Sequence, residues 1–299
     1  MTGAGSGWRR FWSDAPTAAG GATLANLPPQ LQQRLDAPWS RLAAALPHRA
    51  KVLDLATGGG IVLTLLRQRR ATLVLTGVDA AARLPQMAGM TLKGGVHTER
   101  LPFRDGSFAA VTSRFGIEYG PLDEGAAEAA RVCRSDGQIC FIVHHADSPV
   151  LRHNRDRARA LRWVAHDSGW MDKAANLVRA RATTALPTPD AFRTAAHEAE
   201  ALFPGQSVVG EFLVGLVQLL DAGLGRPGVA LPGLDALTER ANEELGRLEA
   251  LFGAACDALR LNALTDALSQ GGFSLAPVAT IDDRPGGDPL AWLIEGRRL

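Results

Sequence analysis

The feature that most constrains the fold of this chain is the stretch 51–66, KVLDLATGGGIVLTLL. A short apolar run reaches an aspartate, and small residues with three consecutive glycines then precede a leucine-rich run. The first run predicts a buried strand and the second a helix. Glycines at such a junction tolerate positive φ and let a ligand approach the unpaired N–H groups of the helix start. The stretch therefore predicts an open α/β sheet with a ligand-binding turn after its first strand.

The rest of the chain extends this pattern. Strand and helix patterns alternate from residue 51 to residue 145, which predicts a parallel sheet with helices on both faces. Residues 147–262 contain helical patterns without clear strands. The C-terminal strand patterns are joined by DDRPGGD and predict an antiparallel hairpin. We therefore predict an α/β fold with a seven-stranded, mostly parallel sheet, a C-terminal antiparallel hairpin and a large helical insertion.

Composition excludes several classes of protein. The chain has 299 residues, 46% of them hydrophobic, and a formal net charge of +1, so no overall field attracts nucleic acid or an anionic membrane. Its three cysteines form no CxxC, so we expect neither a disulfide framework nor a metal site. No stretch is apolar enough to span a bilayer, and no apolar run follows the N-terminal arginines. We expect a cytoplasmic protein without a membrane partner.

Two segments of the insertion leave alternatives open. Arg152, Arg155, Arg159 and Arg162 recur at helical spacing, and they indicate either an anionic partner such as RNA or a solvated helix face with salt bridges. Since no appended nucleic-acid-binding module accompanies them, we favour the second interpretation and expect no nucleic-acid partner. The apolar segment 211–224 fits either a core or an interface, which leaves a homodimer open.

The turn after the first strand resembles the first motif of the class I S-adenosylmethionine-dependent methyltransferases, a group that includes ubiquinone/menaquinone-type C-methyltransferases. That motif is an acid, one further residue and then G-x-G-x-G. Asp54, Gly58 and Gly60 match the acid and the second and third glycines, and Ala56 replaces the first. A dinucleotide fingerprint would place its third glycine where Leu63 stands, which counts against a dehydrogenase.

The resemblance continues along about 51–145 and 263–299, in VLTGVDA, LPFRDGSFAAVTSRFGIEYG, RVCRSDGQICFIV and WLIEGRR. It implies that Asp79 accepts hydrogen bonds from both ribose hydroxyls. His97 stands where the family has an acid that contacts the adenine amino group, and a neutral histidine nitrogen can also accept. The resemblance implies that S-adenosyl-L-methionine is bound by Asp54, Ala56, Thr57, Gly58, Gly60, Asp79, Ala80, His97, Thr98, Glu99, Arg114 and Phe115.

The resemblance also implies a Rossmann-like fold and an organisation into domains. We expect an N-terminal helical cap at 1–48, a cofactor-binding α/β domain at 49–146 and 263–299, and a helical insertion at 147–262 that forms a substrate lid. The expected activity is in-line methyl transfer to an oxygen, nitrogen or carbon nucleophile of a small-molecule substrate. RNA or protein methylation, or a cofactor-binding partner protein without catalysis, are the alternatives.

Three residues are candidates for catalysis, because the acceptor is expected beyond the carboxyl ends of the fourth and fifth strands. His144 and His145 end a buried strand, and histidine titrates near neutral pH. Neighbouring strand residues face opposite ways, so one of the two is a candidate general base, and the pair is poorly arranged to share a metal ion. The alternative is that both are strand-end residues bonded to backbone. Tyr119, the only tyrosine, either orients an acceptor or packs.

Overall fold

The computed structural model describes residues 28–181, 183, 184, 186–224 and 226–299. These divide into two compact units, one that comprises the described residues up to Val150 together with Ala250–Leu299, and one formed by Leu151–Glu249. Of the predicted N-terminal cap at 1–48, residues 1–27 lie outside the described residues. The remainder contains a helix, Pro29–Ala45.

The first unit is built on one mixed sheet. Its strands, in chain order, are β1 Lys51–Leu55, β2 Val74–Asp79, β3 Thr91–Gly94, β4 Phe108–Arg114, β5 Cys133–His144, β6 Phe273–Leu275, β7 Ala279–Asp282 and β8 Pro289–Arg298. The order across the sheet is β3-β2-β1-β4-β5-β8-β6, and β7 also pairs with β8. The pairs among β1 to β5 are parallel, whereas β8 is antiparallel to β5, β6 and β7. This confirms the predicted mostly parallel α/β sheet with antiparallel C-terminal strands.

The sheet has eight strands rather than the predicted seven, because one predicted strand beside β8 is split into two. The strand pattern that precedes DDRPGGD forms two strands, β6 and β7, which both pair with β8. Pro277 lies between them and has no N–H to donate, so it interrupts the ladder. Ala276, next to it, still donates its N–H to the Glu295 carbonyl at 2.9 Å. The division therefore leaves the predicted topology unchanged.

The helices follow the amphipathic patterns of the sequence. In chain order, the α-helices of the described residues are α1 Pro29–Ala45, α2 Ile61–Arg69, α3 Leu122–Val132, α4 Pro149–Arg162, α5 Trp170–Ala180, α6 Asp190–Leu202, α7 Ser207–Ala222, α8 Pro227–Ala254 and α9 Ala258–Gln270. A 3₁₀ turn at Ile117–Tyr119 follows β4. None of the helices within the described ranges combines the length and apolar character that a membrane span requires.

Two apolar cores cover the two faces of the sheet. One contains Trp39 of α1, Leu63 of α2 and Ile142 of β5. The other contains Phe141 of β5 and Leu264 of α9, together with residues of α3. Because Phe141 and Ile142 are neighbours on β5, they face opposite sides of the sheet and supply both cores. The apolar run of β5 is therefore long because both faces of this strand are buried.

The second unit is helical. Its described contacts include Arg157 Nε to Glu244 Oε1 at 2.6 Å and Arg162 Nη2 to Glu249 Oε1 at 2.7 Å, both between α4 and α8. Arg159 pairs with Asp156, and Arg152 and Arg155 also have partners. These contacts favour the interpretation of the arginine stripe as a helix face with salt bridges. The predicted role of the insertion as a substrate lid stays a prediction.

Helix α9 supplies a test of the packing with a matched control. Leu264 is 0% exposed and Leu259 is 77% exposed on the same helix. We expect Leu264→Ala to lower the free energy of unfolding by about 2–5 kcal/mol, because it removes buried methyl groups and leaves a cavity. Leu259→Ala should change it by less than about 0.5 kcal/mol. If urea denaturation shows that the two variants lose the same free energy of unfolding, the burial of Leu264 is contradicted.

Candidate functional site

The loop after β1 has the backbone conformation that its small residues predict. Ala56, Gly58 and Gly60 have φ of 50°, 49° and 76°. This left-handed region is open to glycine, and an alanine there is strained by roughly 1–2 kcal/mol. Thr57 donates its N–H to the Val78 carbonyl at 2.9 Å, so the loop folds back onto β2. The amide groups of the loop thus lie at the carboxyl edge of the sheet, before α2.

Asp79, at the end of β2, joins this loop to the next one. Its Oδ2 accepts the Gly58 N–H at 2.9 Å and its Oδ1 accepts the Ala81 N–H at 2.9 Å. The side chain is buried, and burial raises the pKa of Asp79 while the two backbone hydrogen bonds lower it. Since each carboxylate oxygen accepts more than one hydrogen bond, both keep capacity for a ligand hydroxyl.

Asp54 supports the same loop from the sheet. It is 1% exposed and accepts the Thr57 hydroxyl at 2.7 Å on Oδ2 and the Thr112 hydroxyl at 2.7 Å on Oδ1. Burial raises the pKa of Asp54 to about 7, against the lowering effect of the two hydroxyl groups, and the charge of Asp79 adds to the rise. The motif acid is therefore bonded within the protein, and it shapes the loop.

Arg114, at the end of β4, is paired with a residue that sequence spacing did not reveal. Its Nη1 lies 3.2 Å from Oδ1 of Asp36 on α1, and the guanidinium side chain is 4% exposed. Burial lowers the pKa of Arg114, and the charge of Asp36 opposes this. Asp36 also accepts from Gln32 Nε2 at 2.8 Å. Glu118, four residues further along the chain, is bonded to His144 instead.

The residues predicted to contact adenine follow β3. The N–H of Val96 donates to the Asp79 carbonyl at 2.9 Å, which places the start of this loop beside β2. The side chain of His97 is 60% exposed, with Nδ1 at 3.7 Å from Oε1 of Glu99. The Thr98 hydroxyl lies 3.4 Å from Oε2 of Glu99. These side chains, like Ala80 after Asp79, are accessible or partly accessible to a ligand.

Beyond β4 and β5, the chain brings three of the predicted residues together. Phe115 has φ of 55° and donates its N–H to the Ile142 carbonyl at 2.7 Å. Its ring centroid lies 4.3 Å from that of His144, and the Tyr119 ring lies 6.0 Å from the same imidazole. Nδ1 of His144 lies 2.8 Å from Oε1 of Glu118. Burial raises the pKa of Tyr119 above its usual range.

His145 has different surroundings from those of His144. Its Nδ1 accepts the Asp147 N–H at 3.0 Å, and its ring centroid lies 4.3 Å from that of Trp292. Burial lowers the pKa of His145, while the charges of Asp147 and Asp282 oppose this. A histidine bonded to backbone and packed on an indole fits the strand-end interpretation of the sequence.

A family model described as a methyltransferase domain matches residues 29–186, just over half of the chain. A ubiquinone/menaquinone biosynthesis C-methyltransferase from Citrifermentans bemidjiense is 32% identical over 133 residues, 39% of this chain and 55% of that protein. A demethylmenaquinone methyltransferase from Thermotoga maritima is 32% identical over 116 residues, 36% of this chain and 51% of that protein. A malonyl-[acyl-carrier protein] O-methyltransferase from Geobacter sulfurreducens is 33% identical over 102 residues, 31% of this chain and 38% of that protein. The chain thus spans about half the length of the first two relatives and less of the third.

The buried carboxyl group of Asp54 predicts a pH dependence of stability. Its folded pKa of about 7 lies above the usual 3.8, so between these values unfolding releases a proton and stability falls as pH rises. We expect Asp54→Asn to remove this fall in stability with pH, because an amide does not titrate. The free energy of unfolding of the variant, minus that of the wild type, should rise by about 2 kcal/mol between pH 5 and pH 7. Urea denaturation measures both proteins, and a difference independent of pH would contradict the prediction.

Proposed function

The chain belongs to the methyltransferase-domain family, of the class I S-adenosylmethionine-dependent type, and from this premise we propose that it transfers a methyl group from that cofactor to a small-molecule acceptor. The observation that carries the proposal is the loop 56–60, whose positive-φ residues present backbone amide groups beside the Asp79 carboxylate. When bound, the cofactor supplies an electrophilic methyl group on a sulfonium, and the protein supplies binding and alignment.

The charges of the site fit such a cofactor. Burial raises the pKa of both Asp54 and Asp79, which means that the ionised carboxylates lack enough compensating positive charge. A ligand with an ammonium and a sulfonium group would provide it. In this proposal, Asp79 also accepts from the ribose hydroxyls. Arg114 keeps its ion pair with Asp36 and donates a further guanidinium N–H to the carboxylate of the amino-acid part. The residues 97–99 contact the adenine edge.

A small-molecule acceptor agrees better with the described contacts than RNA does. In the second unit, Arg157, Arg159 and Arg162 pair with acids of this chain, so their charge is already balanced. The relatives named above include a ubiquinone/menaquinone biosynthesis C-methyltransferase and a malonyl-[acyl-carrier protein] O-methyltransferase. We propose a small-molecule acceptor that binds at the carboxyl ends of β4 and β5, with Tyr119 and His144 beside it. The expected cytoplasmic location stays a prediction.

Calorimetric titration with S-adenosylhomocysteine, the product form of the cofactor, tests the binding proposal. We expect Asp79→Asn to weaken binding by at least about 10-fold, or about 1.4 kcal/mol, because an amide cannot accept from both loop N–H groups and the ribose. Asp123→Asn, which changes an exposed carboxylate in the first turn of α3, is the matched control and should bind as the wild type does. Unchanged affinity in Asp79→Asn would refute the assignment.

A further inference from the structure

Glu118 and His144 form a buried pair at the carboxyl ends of β4 and β5. Oε1 of Glu118 lies 2.8 Å from Nδ1 of His144 and also accepts the backbone N–H of His144 at 3.0 Å. Glu118 is 1% exposed and His144 is 6% exposed. A single carboxylate oxygen therefore holds both the backbone and the ring of this histidine.

This pairing decides which ring nitrogen carries the proton. Oε1 of Glu118 already accepts the backbone N–H of His144, so it acts as an acceptor toward the ring as well. Nδ1 of His144 then donates to it, and Nε2 of the neutral ring is left as an acceptor. Nε2 has no hydrogen-bond partner among the residues that the structure describes. In His145 the arrangement is reversed, because Nδ1 accepts the Asp147 N–H and Nε2 must then carry the proton. Of the two adjacent histidines, His144 is the one with a basic Nε2 available.

Two buried polar atoms in and beside this pair are unpaired among the described residues. Oε2 of Glu118 is buried without a partner in the described chain, as is Nε of Arg260. Arg260 Nη2 donates to the Glu118 carbonyl at 3.0 Å, so the two unpaired groups belong to neighbouring residues. Leaving a buried acceptor unpaired is unfavourable, and each such group in a folded protein calls for an explanation beyond packing. A bound water or a polar group of a ligand that donates a hydrogen bond would satisfy the Glu118 oxygen.

The pair lies next to the loop that is proposed to bind the cofactor. A Cβ added to Gly116 would lie 2.5 Å from Cβ of Ala56, so the turn that contains Glu118 packs directly on the 56–60 loop. Phe115, from the same turn, contacts the His144 ring. Transfer between two bound molecules requires this kind of proximity between the base and the methyl donor.

We propose that Glu118 is a positioning residue that holds His144 as the general base for an acceptor with a phenolic or enolic hydroxyl group. This inference rests on the proposed methyltransferase function. Nε2 of His144 takes the hydroxyl proton. The acceptor oxygen, or the carbon that shares its negative charge, forms a bond to the methyl carbon, and the electron pair of the broken carbon–sulfur bond stays on sulfur. A carboxylic acid acceptor is already ionised at neutral pH and needs no base.

The tautomer of His144 tests the positioning role without any acceptor. The full chain, labelled with ¹⁵N-histidine and bound to S-adenosylhomocysteine, is measured by long-range ¹H–¹⁵N correlation at pH 8. His144 is assigned from the signal lost in His144→Gln. We expect a neutral ring protonated at Nδ1, a mixture of tautomers in Glu118→Ala, and no change in Glu295→Gln, a partly exposed carboxylate paired with Arg41. A wild-type ring protonated at Nε2, or an unchanged ring in Glu118→Ala, overturns the proposal.

Methyl transfer tests the base and the acceptor class. Wild-type protein is assayed with methyl-labelled S-adenosylmethionine on a panel of simple phenols, soluble hydroquinones and benzoate. We expect transfer to a hydroxyl probe and none to benzoate. We also expect kcat to fall about 100-fold in His144→Gln and at least about 10-fold in Glu118→Gln, with KM changed less than about 2-fold. Glu295→Gln is the Glu-to-Gln control and should keep wild-type kcat.

The two proposals fail in different ways. If wild-type protein does not bind S-adenosylhomocysteine in calorimetry, the methyltransferase function itself fails. If it binds but methylates no hydroxyl probe, or if Glu118→Gln keeps wild-type kcat, only the base and acceptor inference fails. Cofactor affinity and thermal melting of Glu118→Gln check its fold. If this variant does not fold, the tautomer of His144 in the wild-type protein alone tests the base inference.

Discussion

The candidate site depends on the two backbone hydrogen bonds that the carboxylate of Asp79 accepts. One side chain accepts an N–H from the loop after β1 and another from the segment after β2, so it fixes two loops of separate sequence origin against each other. Hydrogen bonds to a charged group are worth about 1.5–3 kcal/mol each, roughly twice the neutral value. The backbone amides of the glycine loop thereby keep one arrangement, and a ligand bound there would meet a pre-formed surface.

Buried charge collects along one edge of the sheet. Asp54, Asp79, Arg114 and Glu118 lie at or just after the carboxyl ends of β1, β2 and β4, and each is largely withdrawn from water. Burial of ionisable groups is costly, and the hydroxyl, backbone and ionic partners of these residues offset only part of that cost, as the raised pKa of Asp54 and Asp79 shows. Carboxyl groups with a raised pKa, such as those of Asp54 and Asp79, are more typical of functional sites than of structural cores.

The parts of this protein that local sequence encodes were predictable. The run 51–66 specified strand, turn and helix, because periodicity and glycine placement act within a few residues. Ala56 was identified as the replacement for a motif glycine, and its φ of 50° shows why that position favours glycine. The pairing of Asp36 with Arg114 was missed, since the two lie on different elements and no short spacing relates them. The divided edge strand was missed because Pro277 acts through a ladder that forms only in the sheet.

By itself, the sequence determined the strand–glycine–helix order and the mostly parallel sheet, because these follow from hydrophobic periodicity and chain connectivity. It could not decide which of the two adjacent histidines has an Nε2 that can accept a proton. Only the tertiary structure decided that, by placing Glu118 against Nδ1 of His144 and the Asp147 N–H against Nδ1 of His145. The physical reason is that a tautomer depends on the hydrogen-bond partner in space, and that partner is set by packing rather than by position along the chain.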